Sequence, residues 1–211
     1  MSITVIIVVL TCVVSFVAFS DKKIESELIF YPPAISERNQ WYRFFTCGLI
    51  HDGMGHLAFN MIALYLFGRN LEGSFSEIYG EKGALVYALL YITALAASMV
   101  PTYSQQKDNY HYRSLGASGA VSAIVFAGIL IFPLQKMGLL FLPIMLPGFI
   151  FGPIYLIASA YMSKKGHGNI NHSAHIWGAI YGVAFVIVTS LVLSDFNPIT
   201  NFIEEIKSYL Q

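Results

Sequence analysis

Polar residues stand at the starts of three apolar stretches of the chain. They are His56 and Asn60 in HDGMGHLAFN, Ser118 in GASGA, and His172 and His175 in NHSAHIWGAIYG. A serine hydroxyl is a poor nucleophile until a neighbouring base takes its proton, and histidine is the usual base. Ser118 lies where a polar loop gives way to an apolar run. A helix starting there leaves backbone amides unpaired, and its dipole favours negative charge. Gly116 permits a tight turn just before it. His56 and Asn60 are four apart, share one helix face, and can both donate hydrogen bonds to a developing oxyanion. Asp21, Asp52, Asp108 and Asp195 fall in loops or at the ends of apolar segments, so none is obviously placed to orient a histidine. The pattern reads as a Ser–His dyad for acyl transfer, and spacing leaves open whether His172 or His175 is the base.

Other chemistry fits some of these residues. A serine in an apolar helix commonly packs and bonds to its own backbone, the expected role of Ser122. The histidines His51, His56, His167, His172 and His175 could ligate zinc or iron. That site would want further ligands, and carboxylates such as Asp52 and Glu72 are few. HSAH also lacks the glutamate base of the zinc-protease helix. No metal or cofactor is expected.

The elements that must position these groups are membrane helices. Of 211 residues, 56% are hydrophobic and 11% charged, with a mean hydropathy of +0.63. Soluble domains run at about 25% charged, so a water-facing surface is excluded. A net charge of zero argues against a nucleic-acid partner. Cys12 and Cys47 show neither a disulfide framework nor metal spacing. Six apolar segments, about 3–19, 54–71, 84–100, 115–132, 137–162 and 172–193, predict one all-α domain over residues 1–211, a six-transmembrane-helix bundle. The first has no positive n-region and no convincing cleavage site, so it reads as a retained helix and not a signal peptide.

In such a bundle the second, fourth and sixth helices start at the same membrane face, which gathers His56, Asn60, Ser118, His172 and His175 at one depth. Gly119, Ala123 and Ala127 on the fourth, with Gly178 and Gly182 on the sixth, would let those two backbones approach closely. The WYRFF loop suits a headgroup region, as interfacial anchor or as a structural piece. Pro143, Pro147 and Pro153 predict a bent fifth helix that could move aside.

Four pieces together resemble the rhomboid intramembrane serine proteases: RFFTCGLIHDGMGHLAFN, LFGRNLE, GASGA and AHIWGAIYG, in the family's order across residues 41–193. The resemblance implies a bundle of rhomboid type with Ser118 as nucleophile and His175, not His172, as base. It implies an oxyanion site of His56, Asn60 and the Ser118 amide, and a bracing role for Glu72. The implied activity is cleavage of single-span membrane proteins in the lipid bilayer, past the fifth helix, by a multi-pass protein of a bacterial-type plasma membrane. Two departures stand out. Tyr42 separates Trp41 from Arg43, which are adjacent in the family, and Ser122 occupies the place of an aromatic that stacks on the base. The family topology puts the N-terminus inside, whereas eight of the twelve Lys and Arg would then lie outside, the reverse of the positive-inside rule. The competing expectations are a catalytically silent relative that binds and routes membrane proteins, and a His-ligated metal-dependent hydrolase.

Overall fold

The computed structural model describes residues 2–138, 145–165 and 171–211. The chain order is α1 Ile3–Ser20, α2 Lys22–Leu28, α3 Pro32–Arg38, α4 Arg43–Thr46, α5 Gly53–Tyr79, α6 Gly83–Gln106 and α7 Ser118–Ile131. A short antiparallel pair, β1 Lys136–Met137 and β2 Leu146–Pro147, precedes α8 Gly148–Lys165, α9 His172–Leu193 and α10 Pro198–Leu210. Among the described residues, α1, the stretch Gly53–Gln106 and α9 are long and apolar enough to cross a membrane, and α7 and α8 are shorter apolar helices.

Local sequence sets the ends. Asp21 closes α1, and its Oδ1 accepts from the Lys23 and Ile24 amides to open α2. Pro32 and Pro33 occupy the first positions of α3, where a missing N–H costs nothing. Gly80, at φ 58°, turns the chain from α5 into α6. Among the described residues of the fifth apolar segment, Met137 lies in β1 and the helix α8 begins at Gly148. Pro147 therefore precedes the helix, Pro153 lies inside it, and Pro143 falls outside the described residues.

The long first loop is folded, not merely adsorbed. Arg43 is buried and donates to the Ser26 and Ile29 carbonyls, at 2.8 and 2.7 Å, and to Gln40 Oε1 at 2.7 Å. Trp41 stacks on Phe44 at 6.0 Å and meets Tyr103 of α6. The two residues thus serve different contacts, and the intervening Tyr42 stays exposed. The bland anchoring role gives way to a structural one for Arg43.

Helices α7 and α9 touch backbone to backbone. A Cβ on Gly178 would strike the Gly119 carbonyl oxygen, and one on Gly182 the Ala123 carbonyl oxygen. Glu72, deep in α5, caps α1 from the side. Its carboxylate accepts from the Ile3 and Thr4 amides at 2.7 and 3.1 Å and from the Ser2 and Thr4 hydroxyls at 2.5 and 2.8 Å. These are the amides a helix start leaves unpaired. Replacing it leaves them facing an apolar bundle. Glu72→Ala is expected to cost about 2–4 kcal/mol, since hydrogen bonds to charged groups contribute about 1.5–3 each and are not additive. A lowered melting midpoint in detergent is the measurement. At the opposite end from Ser118, amphipathic α10 lies against the bundle. Asn201 Nδ2 donates to the Ile131 carbonyl at 2.9 Å, and Tyr209 meets Phe149 at 6.0 Å.

Candidate active site

Ser118 is the first residue of α7, with Ala117 as the cap. The approach to it is held by two bonds. Gly116 N–H donates to the Cys47 carbonyl at 2.9 Å, and Ala117 N–H donates to His51 Nε2 at 3.3 Å. Because Nε2 accepts, the His51 proton sits on Nδ1 and is donated to Ser15 Oγ at 3.0 Å. The Ser15 hydroxyl donates onward to the Leu49 carbonyl at 2.9 Å. A buried imidazole thus ties α1 to the turn that presents Ser118. Burial foremost, and then neighbouring His56, push the His51 pKa down to about 3. The folded state therefore resists protonating it while the unfolded chain takes a proton near pH 6.5. Stability is expected to be full above pH 6.5 and to fall on acidification towards pH 3, by about 1.4 kcal/mol per pH unit in that window. Melting midpoints measured across that range in wild type and in His51→Gln check it, because the variant loses this contribution to the slope.

Gly116 has a φ of 113°, and a Cβ there would press into the His56 ring at Cε1, 2.7 Å away, and Nε2, 3.0 Å away. That backbone conformation favours glycine, and the missing side chain is the space His56 occupies. The Asp52 amide donates to His56 Nδ1 at 3.3 Å, which leaves the ring proton on Nε2 as a donor. Asn60 is buried. One N–H of its side-chain amide goes to the His56 carbonyl at 3.0 Å, and the other is not used in that bond.

His56, Asn60, Ser118 and His175 line one cavity of about 180 Å³, walled by apolar groups including Phe59, Phe67, Val125, Phe126 and Phe151. His172 is not among its lining residues; its ring meets that of His175 edge-on at 5.6 Å. His175 Nε2 is buried with no hydrogen-bond partner among the described residues. Among the described residues no hydrogen bond joins Ser118 to His175. A second, open hollow of about 760 Å³ lies beside the first. Its wall includes Asp52, His111, Tyr112, Arg113 and Asn171, and it shares His56 and Phe59 with the apolar cavity.

One expectation is corrected. Among the described residues Ser122 reaches another helix and not its own backbone: its Oγ lies 3.3 Å from the Tyr155 hydroxyl. The ring of His175 is held by that same Tyr155, from α8. Their rings stack at 6.2 Å with 19° between planes, and Tyr155 Oη lies 3.1 Å from Nδ1. Sequence reasoning missed Tyr155; the available signal was a tyrosine four residues after Phe151 in a span otherwise rich in aliphatics. For metals, His51 has both ring nitrogens in protein hydrogen bonds, and His167 lies outside the described residues. Among the described residues no three of His, Cys, Asp and Glu form a metal-binding group.

Residues 38–191 match the model of the Rhomboid domain. The chain belongs to the rhomboid family, and with its apolar helices it is an integral membrane protein. It is 26% identical over 186 residues to rhomboid protease AarA of Providencia stuartii, covering 80% of this chain and 64% of the relative. It is 36% identical over 85 residues to rhomboid protease GluP of Bacillus subtilis, covering 40% and 14%. It is 32% identical over 143 residues to RHOMBOID-like protein 12, mitochondrial, of Arabidopsis thaliana, covering 64% and 42%. The chain thus spans less than two thirds of each of these relatives.

Proposed function

We propose that the chain is an intramembrane serine endopeptidase that cleaves transmembrane-helix substrates with a Ser118–His175 dyad. The observation that carries this is the buried, unpartnered Nε2 of His175 in the same cavity as Ser118, His56 and Asn60. A buried nitrogen left without a partner is costly, and a nucleophile's proton would give it one; His172 Nε2 is unpartnered too among the described residues, but His172 does not line the cavity.

In this reading Ser118 Oγ attacks the scissile carbonyl and passes its proton to His175 Nε2. The tetrahedral oxyanion is met by the Ser118 amide, His56 Nε2–H and the remaining N–H of Asn60, and a single such donor is worth about 10²–10³ in rate. His175 then protonates the leaving amine, and the new N-terminus departs. Water enters from the open polar hollow at His56 and attacks the acyl carbonyl while giving a proton to His175. The carbon–Oγ bond then breaks, His175 returns the proton to Ser118 Oγ, and the carboxylic acid departs. The apolar cavity suits a substrate side chain arriving from lipid past α8, where Pro153 removes one backbone hydrogen bond. The substrate helix must unwind locally to expose a peptide bond, which favours small and helix-destabilising residues at the cut. Six spans, with residence in a bacterial-type plasma membrane, complete the proposal.

The test is cleavage of a single-span peptide co-reconstituted with the protein in liposomes, with and without chelator. Cleavage that persists in chelator and disappears in Ser118→Ala is expected. Cleavage that survives Ser118→Ala and needs metal contradicts the dyad. A folded wild type that binds the peptide but never cuts it favours a silent relative.

A further inference from the structure

We propose that Tyr155 is a positioning residue for the base: its hydroxyl holds His175 in the tautomer whose Nε2 lone pair faces the serine cavity. This rests on the dyad reading above and goes beyond it, because it assigns a role to a residue of α8 that touches no reacting atom. A neutral imidazole carries one proton, and which nitrogen keeps it is set by the partner of the other. Among the described residues no carboxylate hydrogen-bonds to His175. The partner of Nδ1 is Tyr155 Oη at 3.1 Å.

A phenol also has one proton to give. Ser122 Oγ lies 3.3 Å from the same oxygen and can accept it. With the Tyr155 proton directed at Ser122, the phenol lone pair receives Nδ1–H and Nε2 is a free base. In the reverse arrangement Tyr155 donates to Nδ1, and the ring proton moves to Nε2. That atom is buried and has no acceptor among the described residues. An orphaned buried N–H is rarer in proteins than an under-used acceptor, so the first arrangement is favoured. It is also the one a general base requires.

The phenol is itself fixed. Its ring stacks on that of His175 at 6.2 Å and on that of Phe151 at 6.1 Å and 22°, with Phe126 at 5.8 Å. His172 meets the imidazole edge-on. Three helices thus meet at one hydroxyl: Ser122 from α7, Tyr155 from α8 and His175 from α9. Any displacement of α8 that widens the apolar cavity also lifts the hydroxyl from Nδ1, so admitting a substrate and aligning the base are mechanically linked.

The experiment follows capture of Ser118 by a rhodamine fluorophosphonate in detergent, resolving the maximal rate from the half-saturating concentration. It is paired with ¹⁵N spectra of the histidine rings. Tyr155→Phe keeps the stack and loses the acceptor; its maximal rate is expected to fall about 5–10-fold, the equivalent of one hydrogen bond. Tyr155→Leu loses both and is expected to fall about 10²-fold, the lower end of what a general base contributes. The half-saturating concentration stays put in both. The His175 signal moves from a pure Nδ1–H tautomer to a mixture in Tyr155→Phe. If Tyr155→Leu fails to fold, Tyr155→Phe decides alone. Unchanged maximal rate and unchanged tautomer in Tyr155→Phe overturn the role of Tyr155 while leaving the dyad intact. A folded wild type that never labels at Ser118 strikes the dyad itself.

Discussion

His175→Ala is expected to slow fluorophosphonate capture at Ser118 by about 10²–10⁴-fold, and Ser118→Ala to abolish it. His175 Nε2 is a fully buried side-chain nitrogen with no hydrogen-bond partner among the described residues, and its residue lines the cavity that also holds Ser118. Without it the hydroxyl keeps its proton, and the amides at the start of α7 stabilise an oxyanion that seldom forms. Neither side chain bridges helices by a hydrogen bond that the fold depends on, apart from the Tyr155 contact. Both variants are therefore expected to melt close to wild type, which separates loss of chemistry from loss of structure. His172→Ala serves as the comparison: its ring touches His175 but does not line the cavity, so a fall well short of that for His175→Ala is expected.

Gly178→Leu is expected to have the largest effect on the fold. Even the first carbon of a side chain there would overlap the Gly119 carbonyl oxygen, one residue from Ser118. The obstacle is backbone, which cannot rotate out of the way as a side chain can. Overpacking of a tight core costs about 1–3 kcal/mol when side chains can adjust, so a clash with main chain is expected to exceed about 3 kcal/mol. Thermal melting in detergent should drop, and labelling of Ser118 should be lost with it because α7 and α9 can no longer meet. Gly128→Ala on α7 is the control. Among the described residues nothing lies within 4 Å of its Cβ position, and both melting and labelling should stay near wild type. Retained labelling in Gly178→Leu would mean that the close crossing is not what brings Ser118 and His175 to one cavity.

Much of the site was legible because its parts are punctuated. Small residues at four-residue spacing on two segments announce a close crossing, and polar groups at the starts of alternate apolar runs announce a shared depth. Those two signals singled out His56, Asn60, Ser118, His172 and His175, the family resemblance chose His175 over His172, and His56, Asn60, Ser118 and His175 share one cavity. Tyr155 was not legible. Its partner Ser122 is 33 positions away, and a tyrosine in an apolar helix carries no local sign of which neighbour it reaches. The helical boundaries of the fourth and fifth segments were also misplaced. Hydropathy counts apolar residues whether or not they are helical, so it ran on through Leu115 before Ser118 and through the β1–β2 pair before Gly148. The first loop misled in the opposite sense. Arg43 looked like an interfacial charge, yet its guanidinium is spent on carbonyls of α2 and the residue after it, a use that only the folded loop reveals.

The central claim is that Ser118 is an activated nucleophile. Peptide mapping of wild-type protein after reaction with a fluorophosphonate in the presence of chelator tests it most directly. The expected result is a single covalent adduct on Ser118 that is lost in His175→Ala. An adduct on any other residue, or chelator-sensitive cleavage of the single-span peptide by protein that carries no adduct, would contradict it.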